Sequence, residues 1–468
     1  MGLKGACPRI HYQYCSMTTD QRRTKIVATL GPASRSRESI RELITAGMDV
    51  ACLNFSHSTH EEHAEAIANL REISSELDTP VTILQDLQGP KIRVGQLPDE
   101  GLNLVPDAVV RLVPQQDWAG EPETIPLDYP HAGEEAQPGM PVLLADGQFE
   151  LEVVEVRERS LHCRVVEGGV LHRRKGVNFP ELDLRLPALT EKDVEDVLFG
   201  IEHGVDWVSL SFVRSAADVR SLKELLAKHG APKPVLAKIE KPQAIDRLDE
   251  ILDEAFGIMV ARGDLGVEMK PEKVPMLQKQ IIESCNRRGL PVVTATQMLE
   301  SMVHEHRPTR AEASDVANAI IDGTDAVMLS AETAIGAYPV RAVEMMVQIA
   351  LEVEPVSQFK RYPATKKTTS HAISAAVNEI ASVIEPRCIA VFTTTGHTAH
   401  VVAAERPRAP VVALTTELKV YHSLNLFWGI KPLLIQSSAT TFDELVLDAQ
   451  NTLARHGLCS TGDHILVL

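Results

Sequence analysis

Hydrophobic positions along this chain gather into short runs at a steady rhythm. Each run is followed by a longer stretch whose leucines, isoleucines and alanines fall three or four residues apart. The runs are TKIVATLG (24–31), VACLNFSH (50–57), VTILQDLQ (81–88), WVSLSFV (207–213), PVLAKIE (234–240), GIMVARG (257–263), PVVTATQ (291–297) and AVMLSAE (326–332). Their length and β-branched content predict buried strands. The stretches between them predict helices, among them 60–77, 190–203, 216–229, 273–288 and 310–321. Eight β and α units in alternation predict an α/β fold, a closed (β/α)8 TIM barrel with its helices outside. An open doubly wound sheet is the competitor, and two features count against it.

One unit is interrupted. Between the third run and the helix at 190–203, residues 90–186 are rich in Pro and Gly turns, with alternating runs at 149–158 and 160–167. That texture predicts an inserted antiparallel β-barrel lid domain. Polar residues inside the runs also cluster at the carboxyl ends: Asn54, Ser56, Asp86, Lys238, Glu240, Asp264, Thr296 and Glu332. Barrel enzymes build their sites at that face. The barrel is therefore assigned to 21–89 and 187–350, the lid to 90–186, and residues 1–20 to an N-terminal extension. After a KRYPATKKTT linker (360–369) come a helix (371–384), a strand (388–395), a second helix and a strand (410–415), predicting a C-terminal α/β regulatory domain over 351–468.

Charge narrows the partners. The 47 Lys and Arg against 64 Asp and Glu leave a net charge of −17, with no basic block. Such a surface repels nucleic acid and anionic lipid, and an anionic substrate would need a local positive pocket. The seven cysteines, at 7, 15, 52, 163, 285, 388 and 459, show no CxxC or Cys/His pairing. Neither a disulfide framework nor a zinc site is expected, and a reducing compartment is. No apolar run is long enough for a membrane span, and the first residues lack the apolar core of a signal peptide, so the expected location is cytoplasmic.

The candidate chemistry sits on adjacent strand ends. Lys238 and Glu240 are two apart, on one face of a strand. Asp264 closes the next strand inside Ala-Arg-Gly-Asp-Leu-Gly. Two carboxylates there make a hard oxygen site suited to Mg2+, and Lys238 adds positive charge. This combination suits phosphoryl transfer from an anionic substrate. The alternative is a plain internal salt bridge between Lys238 and Glu240. Thr296 and Ser330 are hydroxyls at later strand ends, able to bind substrate, relay a proton or simply bond their own backbone. No GxxxxGK[ST] sequence is present, so any nucleotide is held otherwise than by a P-loop.

Together these segments resemble the pyruvate kinase family across nearly the whole chain. RTKIVATLGPASRS (23–36), LNFSHSTHEEH (53–63), QDLQGPKIR (85–93), LPALTEKD (186–193), SFVRSAADV (211–219), AKIEKPQA (237–244), IMVARGDLGVE (258–268), TATQMLESM (294–302), RPTRAEASDVANAI (307–320) and DAVMLSAETAIGAYP (325–339) follow its pattern in order. The resemblance implies transfer of the phosphoryl group of phosphoenolpyruvate to ADP, giving pyruvate and ATP. It implies Mg2+, with Mn2+ as the alternative ion, held by Glu240 and Asp264. Lys238 would stabilise the phosphoryl group, and Gly263, Asp264, Thr296, Ser211 and Lys192 would bind substrate. Thr296 and Ser330 would carry the proton relay, with Glu332 near it. Arg93 and Lys192 would contact ligand phosphates at the lid hinge, and Asn54, His57 and Lys192 the nucleotide.

Two positions depart from the common family pattern. Lys91 stands where many members have Glu and need K+ bound by the equivalents of Asn54, Ser56, Asp86 and Leu87. A lysine brings that positive charge itself, so K+ is expected not to be required. Cys52 stands where the family usually has a phosphate-contacting arginine. In the C-terminal domain the loop Thr393-Thr394-Thr395-Gly396-His397-Thr398 enters a helix and resembles the phosphate cradle where relatives bind an activating sugar phosphate; an ordinary helix N-cap is the alternative. A homotetramer is likewise implied. Two rivals remain: a lyase of the related phosphoenolpyruvate/pyruvate barrels, and a paralogue kept as a regulatory subunit.

Overall fold

The computed structural model describes residues 22–182, 185–362, 368–436 and 441–468. The segment 1–20 and the middle of the 360–369 linker lie outside the described residues.

The eight runs form eight parallel strands: Lys25–Leu30, Val50–Asn54, Thr82–Asp86, Trp207–Leu210, Val235–Ile239, Gly257–Ala261, Val292–Ala295 and Ala326–Leu329. They close into a barrel in chain order, the eighth pairing with the first. Each strand stops earlier than its apolar run. The polar residues at the carboxyl ends leave the sheet for the mouth of the barrel, where Phe212, Thr296 and Gln297 take left-handed backbone angles.

The helices start where their caps dictate. Thr59 and Glu62 form a reciprocal capping box ahead of His60–Glu76, Thr190 and Asp193 ahead of Glu191–Glu202, and Thr309 and Glu312 ahead of Arg310–Asp322. Asp193 also accepts the Gly89 amide at 3.0 Å, tying the third barrel helix to the point where the chain leaves for the lid.

The inserted unit carries its own buried core, including Val110, Leu112, Leu151, Val153, Leu161 and Val165. Its six-stranded sheet is antiparallel except for one parallel pair, Val109–Pro114 with Thr124–Leu127, and a two-stranded ribbon stands beside it. The runs predicted at 149–158 and 160–167 are the strands Phe149–Arg157 and Ser160–Glu167.

The C-terminal unit is a four-stranded parallel sheet flanked by helices. Its apolar residues are continuous with the barrel interior: Val27, Cys52, Leu84, Trp207 and Leu236 belong to one cluster with Ile389, Leu424 and Phe427. Trp207 anchors the junction. Fully buried, it meets Phe256 and Phe427 edge-on and donates its indole N–H to the Ser423 carbonyl at 3.0 Å. Among the described residues no helix is long and apolar enough to cross a membrane.

Candidate active site

Lys238 stands at the centre of the barrel mouth. Its ammonium donates to Ser211 Oγ at 2.9 Å and lies 3.3 Å from Asp86 Oδ1 and 3.1 Å from Glu240 Oε1. Burial alone would lower its pKa, but Asp86, Glu240 and Asp264 outweigh that, and the pKa is raised above the usual lysine value. Lys238 is therefore a fixed cation. Ser209 donates to Asp86 Oδ1 at 2.6 Å, and Ser211 donates to the Leu87 carbonyl at 2.7 Å.

Glu240 is fully buried. Its Oε2 accepts the Phe212 amide at 2.6 Å, which holds that bulky residue at φ +54°. Its Oε1 faces the Lys238 ammonium at 3.1 Å as an ion pair and meets no other donor among the described residues. Burial raises the Glu240 pKa, opposed by Lys238. The salt bridge read as one alternative from the sequence is thus present, and Lys238 is the partner of Glu240 Oε1.

Asp264 lies on the next strand end, in the short helix Arg262–Glu268. Lys91 Nζ stands 3.5 Å from Asp264 Oδ1 and 3.2 Å from Asp146 Oδ1, which belongs to the lid. Burial pulls the Lys91 pKa down, but Asp264 and Asp146 raise it above the ordinary value. Lys91 therefore bridges lid and barrel as a cation.

Thr296 sits at φ +68°, rare for a β-branched residue and a mark of local strain. Its hydroxyl accepts the Gly263 amide at 2.6 Å and donates to the Ala295 carbonyl at 2.6 Å. Arg262 holds this loop from outside. Its guanidinium donates to the Thr296 carbonyl at 2.8 Å and pairs with Asp315 at 2.6 Å. Glu332 is fully buried and accepts the Ser330 amide at 2.7 Å and the Leu299 amide at 3.0 Å, joining the ends of the seventh and eighth strands.

The structure thus brings together Asp86, Leu87, Ser211, Lys238 and Glu240, and separately Lys91 with Asp264 and Gly263 with Thr296. Arg93 and Lys192 make no bond to the Lys238 cluster among the described residues. The Arg93 guanidinium donates to the lid carbonyl of Arg174 at 3.3 Å, and its amide to Asp128 at 2.6 Å. Lys192 donates to the Phe55 carbonyl at 2.8 Å and to Asp196 at 2.6 Å. His57 is exposed; Asn54 Oδ1 accepts the Ser56 amide at 2.9 Å. Cys52 is fully buried in the barrel interior, where burial and then Asp86 push its thiol pKa well up, so it is inert as a nucleophile.

Three contributors escaped the sequence reading. Arg262 was hidden inside Ala-Arg-Gly-Asp, where only the Asp suggested chemistry. Asp146 lies in a lid turn with nothing to mark it. Glu268, buried, ion-pairs with Lys241 and accepts from Asn178 of the lid at 2.6 Å, a contact that spans two units and has no local signal.

The donor set fits a small divalent cation. Among the described residues no cluster of three or more His, Cys, Asp or Glu could hold a metal. Mg2+, however, asks for one or two carboxylates and completes its shell with water and substrate oxygens. Glu240 Oε1, buried with Lys238 as its partner, and the part-exposed Asp264 carboxylate are such a pair.

In the C-terminal unit the loop after Cys388–Phe392 enters the helix His397–Ala404 at Gly396, φ +82°. Thr393 Oγ1 accepts the Gly396 amide at 2.9 Å, and Thr395 Oγ1 the His397 amide at 3.4 Å. Thr394, Thr395 and His397 are exposed. The loop borders a cleft of about 1620 Å3 between this unit and the underside of the barrel, lined also by Arg71, Lys233, Arg287 and Arg288.

A parallel barrel with a fixed lysine, two carboxylates and a lid over its mouth defines an enzyme of the phosphotransferase class. The family patterns described as pyruvate kinase, barrel domain, and pyruvate kinase, alpha/beta domain, match residues 21–343 and 371–468. The chain belongs to the pyruvate kinase family. It is 48% identical over 445 residues to pyruvate kinase 2 of Synechocystis sp., covering 93% of this chain and 75% of that one. It is 43% identical over 457 residues to the pyruvate kinase of Agrobacterium vitis, covering 96% and 93%. The crystal structure of a pyruvate kinase from Cryptosporidium parvum superposes with a TM-score of 0.92 at 34% identity, covering 96% of this chain and 94% of that one.

Proposed function

We propose that the barrel mouth carries out this family's reaction with Mg2+, without K+ and under the control of a phosphorylated effector. The substrates are phosphoenolpyruvate and ADP. The observation that carries the reading is the Lys238 ammonium, held among three carboxylates and paired at 3.1 Å with the buried Glu240 Oε1.

Glu240 and Asp264 would hold the ion, which when bound supplies positive charge to the substrate's phosphate and carboxylate oxygens. Lys238 stays protonated and offers a fixed charge to the phosphoryl group in flight, worth most where water is excluded. The Asp264 amide, with the Gly263 amide and the Thr296 hydroxyl once these exchange their present bonds to Thr296 and Ala295 for the substrate, orients the carboxylate of phosphoenolpyruvate. Protonation of the product enolate is assigned to a relay through Thr296 and Ser330, the latter placed by Glu332. The lid, latched by Lys91 to Asp264 and by Asn178 to Glu268, keeps water from the phosphoryl group.

Independence from K+ has its own support. Three of the four residues expected to bind that ion have their oxygens engaged by protein donors: Asn54 Oδ1 by the Ser56 amide, Leu87 O by Ser211, and Asp86 by Ser209 and Lys238. The Lys91 ammonium supplies charge nearby. The Thr393–Thr398 loop, opening beside a cleft with several cations, suits a phosphorylated effector. A homotetramer suits the exposed Ile373, Ile380, Val383 and Ile384 of the helix Thr369–Ile384. A cytoplasmic location completes the reading.

The test is pyruvate release from phosphoenolpyruvate and ADP in buffer free of K+, with Mg2+ and with a chelator, then with K+ added. Turnover that needs Mg2+ and rises less than about twofold with K+ is expected, since an ammonium already fills the charge. A steep K+ requirement would make Lys91 a bystander.

A further inference from the structure

We infer that Asp196 and His60 are positioning residues that hold Lys192 ready for the nucleotide's phosphates. The inference rests on the reading that Lys192 contacts ligand phosphate. Lys192 lies in the first turn of the helix Glu191–Glu202, and Asp196 one turn further on. The Asp196 side chain is only 1% exposed, and each of its oxygens has one partner. Oδ2 takes Lys192 Nζ at 2.6 Å and Oδ1 takes His60 Nε2 at 2.7 Å.

A second Lys192 N–H goes to the Phe55 carbonyl at 2.8 Å. An ammonium has three donors, so one remains, on a side chain that is 49% exposed. The clasp thus fixes the lysine while leaving one N–H for an anion.

His60 is itself held in place. Its ring stacks on Phe199 at 4.4 Å, and Phe199 stacks on His203 at 3.9 Å. Phe55 stacks on His63 at 4.1 Å, and His63 Nε2 bonds the His57 carbonyl at 3.0 Å. The loop carrying Asn54 and His57 and the helix carrying Lys192 are therefore one packed unit, with Asp196 as its buried link.

The physical case turns on burial. A lysine–aspartate pair four residues apart on an open helix face is too weak to order a long side chain. A buried carboxylate is different, because losing either partner leaves charge without solvent. A lysine ordered before the nucleotide arrives loses no rotamer freedom on binding, and affinity rises for that reason alone.

The experiment measures kcat and the KM for ADP and for phosphoenolpyruvate in four proteins: wild type, Asp196→Asn, Lys192→Met and the double variant. Asp196→Asn is expected to raise the KM for ADP about tenfold, leaving kcat and the KM for phosphoenolpyruvate within about twofold. Added to Lys192→Met, it should change the KM for ADP less than about twofold, because its effect runs through the lysine. Single effects that multiply in the double variant, or an unchanged KM in Asp196→Asn, would overturn the clasp while leaving the role of Lys192 intact. An unchanged KM for ADP in Lys192→Met would instead remove the reading on which the clasp rests. Should Asp196→Asn fail to fold, His60→Gln, at a side chain 42% exposed, is read in the same two backgrounds. A residue acting through the lysine should raise the KM for ADP about threefold when Lys192 is present and leave it unchanged in the Lys192→Met background. Equal effects in both backgrounds would overturn it.

Discussion

The two ends of the same barrel strands use buried charge in opposite ways. At the underside Asp325 is saturated. Its Oδ2 accepts the Val292 amide at 2.9 Å and Arg406 Nη2 at 3.2 Å, and its Oδ1 lies 3.2 Å from Arg406 Nη1 and accepts the Trp428 amide at 3.3 Å. At the mouth Glu240 Oε1 has only the Lys238 ammonium beside it among the described residues, at 3.1 Å. The backbone follows the same division. Underside turns reach left-handed angles mostly through glycine, at Gly47, Gly204, Gly230, Gly289 and Gly323, whereas the mouth forces Ser58, Phe212, Thr296 and Gln297 there. Strain left unrelieved marks the end assigned the chemistry. The saturated Asp325 marks the end that holds the domains together.

Breaking the saturated end should cost stability and spare catalysis. Arg406→Ala leaves the buried Asp325 carboxylate without its cation and is expected to lower the unfolding free energy by about 3–5 kcal/mol. Denaturant melts would show this, with kcat of the folded enzyme little changed.

A second underside group adds a dependence on pH. His422 is buried at the domain junction, and burial, then Arg71, lowers its pKa to about 3. A depressed folded pKa gives stability that is present above the unfolded value near 6.5 and is lost as pH falls from there toward 3. Between pH 6.5 and 5 this one group should remove about 2 kcal/mol, at about 1.4 kcal/mol per pH unit. His422→Leu should flatten that part of the stability profile measured by urea titration.

The smallest effects sharpen the contrast in backbone. Gly323 has φ +97°, and a Cβ there would stand 2.6 Å from Asn286 Nδ2. Gly323→Ala should cost about 1–2 kcal/mol with kcat unchanged. Thr296→Gly should do the reverse, gaining about 1 kcal/mol by relieving a left-handed threonine while losing activity. Paired thermal melts and turnover rates would separate the two.

Much of this was legible in the sequence. Eight apolar runs with polar tails announced the barrel and pointed to the face that carries the candidate site, because strand burial and strand-end polarity both leave local signals. The strand ends were overrun by several residues, since Ala295-Thr296-Gln297 reads as a continuing strand until the turn at Thr296 is seen. Contacts made between units left no local trace. Asp264 meeting Lys91 and Asn178 meeting Glu268 join two units, and Asp196 meeting His60 joins residues far apart in the chain. Arg262 failed for another reason: its neighbour Asp264 drew the chemistry, while its own work is to hold the Thr296 loop from outside.

The most direct test of the account is the rate of pyruvate release by Lys238→Met, measured at saturating phosphoenolpyruvate, ADP and Mg2+ beside the wild type. The account predicts a fall in kcat of about 10³-fold, because the fixed charge facing the phosphoryl group is removed. A kcat within about tenfold of wild type would contradict it, and would reduce the Lys238–Glu240 pair to a salt bridge that merely neutralises the barrel mouth.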